Sequence, residues 1–335
     1  MSGIAGYSYG TIENCTNNAD VTALNNHVGG ITGRCQSADG IFINCHNTGS
    51  VSGGAYVGGI AGSCLGDVTN CTNTGDVTGS AQYGVGGIIG ITSDASSVSV
   101  TGCYNTGDIT STTTGYAWVG GIVGSFPNQN ARGSIENCYN TGAVSATAEG
   151  SVCSGGILGG GYGDITNCYN TGTVTGSVNV GAVGGFVNGT VEKAYYLTGS
   201  AAAGIGLASV AAIATERTAE QMTGPNALDE TNMNLDSDIW TAGGEDTWEY
   251  LGENEDGLIA VTDAADTTPE PERPGPQSDA QSDTQSDVQT GQPSNPQNNQ
   301  QTGDNSNLPV WSMMLLVSGG MLFALLLGKK QKNAE

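Results

Sequence analysis

The chain has 335 residues, of which 32 are acidic and only 8 are basic, giving a net charge of −24, and 55 are glycine. So few cations cannot neutralise nucleic-acid phosphates or hold the chain on an anionic lipid surface, which excludes nucleic acid as a partner. Two histidines, and nine cysteines without a Cys-x-x-Cys pair, argue against acid–base catalysis and against a zinc site. We therefore expect no catalytic residues, no metal and no cofactor.

A repeated unit fills residues 1–199. It reads V-G-G-I-x-G, then a variable turn, then G-x-I-x-N-C-x-N-T-G-x-V-x-G, and it occurs seven times. Six copies carry the cysteine, at intervals of 26 to 35 residues, namely Cys15, Cys45, Cys71, Cys103, Cys138 and Cys168. The seventh copy has Ala194 there. A period in this range is typical of a stacked repeat fold.

Each unit contains three short Val/Ile runs separated by Gly, Asn and Thr, as in Val57 to Ile60, Val68 and Val77 of the third copy. This is strand and turn chemistry without helical periodicity. Strands of stacked coils pair about 4.8 Å apart and share one core. The sequence therefore predicts an all-β fold, a parallel β-helix-like solenoid of about seven coils.

Three columns of equivalent residues acquire structural roles in such a solenoid. Glycine pairs such as Gly29-Gly30 are expected where φ is positive or where coils approach closely. One asparagine per coil is expected to stack into an inter-coil amide ladder, the members being Asn47, Asn73, Asn105, Asn140 and Asn170. The cysteine column is expected to be a file of small buried side chains. Two alternatives stay open: disulfides between neighbouring coils, for example Cys35 with Cys64, and a redox or ligand role.

The repeat resembles the GLUG-type repeat of surface proteins and adhesins in Gram-positive and some other bacteria. That resemblance implies a stalk or display surface, sometimes beside an IgA-specific metalloprotease. The first copy departs from the pattern with Asn18-Ala19 in place of Thr-Gly.

Residues 200–262 lose the repeat and are expected to cap the last coil, because an open β edge invites aggregation. Thr218 and Gln221 have the spacing of a capping box, which predicts a short helix. Trp240 and Trp248 would supply the bulk of the cap. As an alternative, these tryptophans would form a platform for stacking sugars.

After residue 262 the amino-acid composition changes twice. Residues 263–307 are rich in Pro, Gln, Ser and Asp and predict a disordered linker. Residues 308–327 are uncharged and long enough to cross a bilayer as a helix, and the basic tail 328–335 predicts that this end faces the cytoplasm.

Thr302-Gly303, followed by the apolar run and the basic tail, resembles the sortase sorting signal of Gram-positive bacteria. The resemblance implies cleavage between these two residues and transfer to peptidoglycan, so sortase and peptidoglycan are the expected partners. The usual Leu-Pro is replaced by Asn299-Gln300, and an uncleaved membrane anchor is the alternative. We expect an extracellular, wall-anchored protein whose signal peptide and further coils lie upstream, because Met1 enters in the middle of a repeat unit.

The favoured function is therefore a non-catalytic adhesin or display stalk for an unknown host or community ligand. Its contacts are expected at turns of variable length, such as 93–98 and 127–133. The alternatives are the stalk of a larger surface enzyme, such as a protease, and a carbohydrate-active β-helix enzyme. The repeats disfavour the latter because their acids are spread out, with Asp67, Asp76 and Asp108 at turns.

Overall fold

A computed structural model describes residues 1–93, 97–147, 150, 152–223, 226, 227, 229–234, 240–242, 248–254 and 257–260. These residues form an all-β parallel solenoid of about six turns with almost no helix. The predicted fold class is thus confirmed for the solenoid, but not the number of coils. Sheets A and D each contain six strands, because the first copy of the repeat has no strand in sheet A and the last copy has none in sheet D.

The second to fifth copies each contribute five short strands rather than the three expected from the Val/Ile runs. In the third copy they are Val57–Gly58, Ala61–Cys64, Val68–Thr69, Thr72–Asn73 and Val77–Gly79. Stacking of the coils turns these strands into four parallel sheets, here called A to D in chain order.

The strand bounds of the four sheets are as follows. Sheet A comprises Val28–Gly29, Val57–Gly58, Tyr83–Gly86, Ala117–Gly120, Val152–Gly155 and Val180–Gly181. Sheet B comprises Ala5–Ser8, Thr32–Cys35, Ala61–Cys64, Ile89–Thr92, Val123–Phe126, Leu158–Gly161, Gly184–Val187 and Ile205–Ala208. Sheet C comprises Ile12–Glu13, Thr16–Asn17, Phe42–Ile43, His46–Asn47, Val68–Thr69, Thr72–Asn73, Ser99–Thr101, Tyr104–Asn105, Gly133–Glu136, Tyr139–Asn140, Gly163–Asn170, Val191–Leu197 and Thr215–Arg217. Sheet D comprises Val21–Thr22, Val51–Gly53, Val77–Gly79, Ile109–Ser111, Val144–Ala146 and Val174–Thr175.

Register follows the repeat, so equivalent residues of neighbouring coils face one another. Val57 pairs with both Val28 and Val85, and Asn73 pairs with both Asn47 and Asn105. A one-residue slip would move every inward side chain to the outer face, which is why the repeated pattern fixes the register.

The interior has two apolar clusters. One lies between sheets B and C and contains the isoleucine of each V-G-G-I segment, the cysteine column, Phe42 and Phe126. The other lies between sheets A and D and is built mainly from valine, for example Val57 and Val77. β-branched side chains suit both clusters because they pack closely on a pleated surface.

The segment after the repeats does not simply cover the end of the solenoid. Ile205–Ala208 and Thr215–Arg217 add strands to sheets B and C beyond the last coil. Nearby Leu207 and Ile213 stay exposed. The segment then folds back, and Met222, Met233 and Trp240 pack on the outer face of sheet C.

Two further elements complete the described chain. The helix Ala219–Met222 begins at Thr218 with the predicted capping box, in which the side chains of Thr218 and Gln221 each bond the other's backbone. Trp240–Ala242, Trp248–Asn254 and Gly257–Ala260 form a three-stranded antiparallel sheet.

Candidate functional site

The asparagine column forms a continuous buried ladder. The Nδ2 of each asparagine donates to the Oδ1 of the next one, at 2.7 Å from Asn47 to Asn73 and from Asn73 to Asn105, and at 2.8 Å from Asn140 to Asn170. Each Nδ2 also donates to the carbonyl two residues further on, as Asn105 does to Gly107 at 2.7 Å. Every amide in the middle of the ladder is therefore satisfied on both sides, which a buried polar group requires.

The ladder has one more rung than the sequence predicted. Asn17 donates to Asn47 at 2.7 Å, although its copy departs from the Asn-Thr-Gly pattern. The signal was present as the asparagine two residues after Cys15. At the other end, Tyr196 pairs with Asn170 and takes the place of a further asparagine.

The cysteine column is buried apart from the partly exposed Cys15, and it is bonded to the backbone. The backbone N–H of Cys45, Cys71, Cys103 and Cys138 donates to the Sγ of the next cysteine at 3.3 to 3.4 Å. No disulfide joins any two of the nine cysteines in this structure. Burial raises the pKa of Cys71 and of Cys138 well above the usual value of a thiol. These two thiols are therefore neutral at pH 7 and poor nucleophiles.

Residues immediately before these cysteines hold a left-handed turn that the sequence analysis missed. Asn14, Asn44, Asn70, Asn137 and Asn167 all have φ between 50° and 56°, and Gly102 fills the equivalent position with φ 64°. Asparagine and glycine tolerate this conformation best. The residue before the cysteine thus forms a corner that separates the two strands of sheet C in the first five copies, whereas Gly163–Asn170 of the sixth copy passes through this position as one strand.

The glycine pairs serve close approach and not positive φ. A Cβ on Gly30 would meet the amide of Asn47 and the carbonyl oxygen of Gly59. Gly87 lies in the same way against Asn105 and Gly121. The second glycine of each pair therefore makes room for the asparagine ladder.

The turn carboxylates are bonded to the next coil. Oδ1 of Asp76 accepts the backbone N–H of Asp108 at 2.9 Å, and Oδ1 of Asp108 accepts that of Ala143 at 2.8 Å. Asp67 and Asp164 do the same for Ser99 and Thr190. Within the described ranges, no three His, Cys, Asp or Glu side chains come together as a metal site. These carboxylates link neighbouring coils by accepting backbone N–H groups, and a carboxylate held in this way is less available for catalysis.

Two aromatic stacks run along the outside of the solenoid. In the first, Tyr104, Tyr139 and Tyr169 stack with centroids 4.9 and 5.0 Å apart, and Trp240 covers them at 5.7 Å from Tyr169. Trp240 is only 1% exposed, so its ring cannot serve as a platform on which sugars stack. The side chain of Trp248 lies outside the described part of the structure.

The second stack comprises His27, Tyr56, Tyr83 and Trp118, with centroids 4.8, 5.1 and 6.4 Å apart. Its first three rings face one another, so most ring faces are already occupied. Sugars stack on open aromatic faces, and this row offers mainly ring edges.

Of the two variable turns, only 127–133 lies wholly within the described residues. In the turn 127–133, Gln129 and Asn130 are exposed, and Arg132 anchors the turn through Asp164 at 3.5 Å and the carbonyl of Asn188 at 2.7 Å. Residues 94–96 of the other turn lie outside the described residues, as do Thr302, Gly303 and the segments 263–307, 308–327 and 328–335. No helix in the described part of the chain is long and apolar enough to cross a membrane.

No model of a known protein family matches the chain, and no curated protein matches it. Among solved structures, a Bacteroides ovatus protein provisionally named an immunoglobulin A1 protease is similar, with 22% identity and a TM-score of 0.44. The similarity covers 70% of this chain and 74% of the other. At this identity and TM-score, the likeness carries no information about the activity of the present chain.

Proposed function

We propose that the chain is a non-catalytic display stalk or adhesin of the bacterial surface, built from GLUG-type repeats. The observation that carries the proposal is the use of its polar side chains. The asparagines, cysteines and turn aspartates of the repeats bond the neighbouring coil. Polar side chains that bond neighbouring coils suit a stiff scaffold, and few of them are left for catalysis.

The residues that hold the coils together differ from the exposed turns where a ligand would bind. Ladder and core positions are fixed by stacking, whereas a turn such as 127–133 varies in length between copies and is anchored at its base by Arg132. Exposed loops held by a rigid framework are the usual place for binding residues.

Attachment to the surface rests on the C-terminal sequence. Thr302-Gly303, the apolar residues 308–327 and the lysines of the tail occur in the order of a sorting signal. We propose that sortase cleaves between Thr302 and Gly303 and joins the threonine carboxyl to peptidoglycan.

The test is expression of the full chain behind a heterologous signal peptide in a Gram-positive host and in its sortase-deficient counterpart. Mass spectrometry of muralytic digests should find a C-terminal peptide that ends at Thr302 with wall fragments attached. Thr302→Ala should shift the protein to the membrane fraction, while Thr284→Ala, a threonine of the linker, should not. A C-terminal peptide that runs past Thr302 in the wild type would refute cleavage there.

The absence of catalysis is tested separately on the same purified chain. Incubation with pectins, mucin glycans and immunoglobulin A should leave their chain lengths unchanged. Reproducible cleavage of any of them, retained through purification to homogeneity, would replace the display function by an enzymatic one.

A further inference from the structure

Three cysteines lie outside the six-cysteine column, and two of them, Cys35 and Cys64, are at the carboxyl ends of neighbouring strands of sheet B. In the strands Thr32–Cys35 and Ala61–Cys64, Ala61 pairs with Thr32 and Ser63 pairs with Arg34. Cys64 is therefore directly opposite Cys35. The next residues along this column are Ser8 opposite Cys35 and Thr92 opposite Cys64. In this column of sheet B, the cysteine in register with Cys35 is Cys64, and the other neighbours are serine and threonine.

The spacing of the strands suits a bond between them. Adjacent strands lie about 4.8 Å apart, which places the two Cα atoms inside the range of about 4.4–6.8 Å found in disulfides. Both side chains are fully buried and point into the core between sheets B and C. The two thiol groups are also in side-chain contact with each other.

Their hydrogen bonds differ from those of the six-cysteine column. Sγ of Cys35 donates to the carbonyls of Ser37 and Gly40 at 3.4 and 3.6 Å, and Sγ of Cys64 donates to Gly66 at 3.1 Å. In the column, by contrast, the Sγ atoms of Cys71, Cys103, Cys138 and Cys168 also accept a backbone N–H. Oxidation of the Cys35 and Cys64 thiols would therefore remove only weak S–H donors and would leave the coil-to-coil bonding intact.

We propose that Cys35 and Cys64 form a disulfide when the chain folds in the presence of a disulfide oxidant. The thiolate of Cys35 attacks one sulfur of the oxidant and releases one thiol. The thiolate of Cys64 then attacks the sulfur of Cys35, forms the S–S bond and releases the second thiol. The two cysteines lose two protons and two electrons in total, and the oxidant takes up both as it becomes two thiols.

The electrostatics of the pair match this order of events. The hydrogen bond to Cys64 lowers the pKa of the Cys35 thiol to about 5, and the same contact together with burial raises that of Cys64 well above its usual value. The more acidic thiol supplies the attacking thiolate. The bond joins the second and third strands of sheet B across a loop of about 30 residues, which restricts the unfolded chain. This inference does not rest on the proposed surface location.

The experiment refolds the full chain from reduced, denatured protein in a mixture of oxidised and reduced glutathione, and in dithiothreitol as the reference. Alkylation under denaturing conditions, followed by peptide mapping, should find seven modified thiols of the nine and one linked peptide pair, Cys35 with Cys64. The oxidised form should melt roughly 5–10 °C higher than the reduced form. Nine modified thiols in both samples, or a linkage within the six-cysteine column, would overturn the proposal.

Variants sharpen the test. Cys35→Ser should abolish both the linked peptides and the difference in melting temperature, whereas Cys153→Ser, which removes a buried thiol of neither group, should retain them. If Cys35→Ser does not fold, the peptide map of the wild-type chain still decides. A melting difference that persists in folded Cys35→Ser would assign the effect to other cysteines and contradict the proposal.

Discussion

Removal of one central rung of the asparagine ladder should destabilise the solenoid strongly. Asn105 accepts the amide of Asn73 at 2.7 Å and donates to Asn140 and to the Gly107 carbonyl, each at 2.7 Å. Asn105→Ala leaves these buried partners with fewer bonds. A buried group without its partner costs about 1–3 kcal/mol, and two to three such groups are affected. We expect a loss of about 3–5 kcal/mol in the free energy of unfolding.

Two variants separate hydrogen bonding from loss of bulk. Asn105→Asp keeps the shape of the side chain but offers no N–H to Asn140, so it should destabilise at least as much as alanine at pH 7. Asn18→Ala removes an exposed side chain whose Oδ1 accepts from Thr48 at 2.9 Å, and it should cost roughly 0.5 kcal/mol or less.

The assay is urea unfolding of the full chain, followed by circular dichroism and by tryptophan fluorescence. Stacked repeats can lose coils separately, so both signals should be fitted together. An Asn105→Ala variant within about 1 kcal/mol of the wild type, or no worse than Asn18→Ala, would refute the view that the ladder bonds hold the coils together.

Variants at three further positions test other parts of the structure. Asn70→Ala should cost about 1–2 kcal/mol in urea unfolding because φ there is 52°, whereas Asn70→Gly should be close to neutral; equal effects would contradict a conformational role. Trp240→Ala should cost about 3–5 kcal/mol and make residues 218–242 sensitive to protease while the sheets persist, since this ring is buried on the tyrosine stack. Burial lowers the pKa of His46 below 6.5, so the unfolded chain binds its proton more readily. Stability should therefore be full above pH 6.5 and fall as the pH drops through the folded value, and His46→Gln should show a flatter profile in the same unfolding assay.

The repeat made the main architecture predictable. A fixed period with Val/Ile runs and turn residues leaves few solutions other than stacked parallel strands, and the asparagine and glycine positions follow from stacking. The number of strands in a coil was not predictable from the apolar runs. Thr72–Asn73 is a strand without a single aliphatic residue, because Asn70 turns the chain two residues earlier and Cys71 supplies the inward side chain.

The tyrosine stack was not predicted, because its residues occupy a position that the repeat consensus treats as variable. The position between cysteine and asparagine is variable in the repeat, yet it holds Tyr104, Tyr139 and Tyr169 in three consecutive copies. Those rings line up on the outer face of sheet C and take the large side chains of the following segment, including Trp240. The sequence predicts an end cap because an open β edge invites aggregation, but it carries no comparable signal that this outer face is covered as well.

The proposed function is tested most directly by protease shaving of intact bacteria that carry the full chain. Brief trypsin or proteinase K treatment, followed by mass spectrometry of the released peptides, should recover turns of the repeat region, among them 127–133, from unbroken cells. Peptides of the basic tail 328–335 should appear only after lysis. Release of repeat peptides solely from lysed cells would contradict a surface stalk.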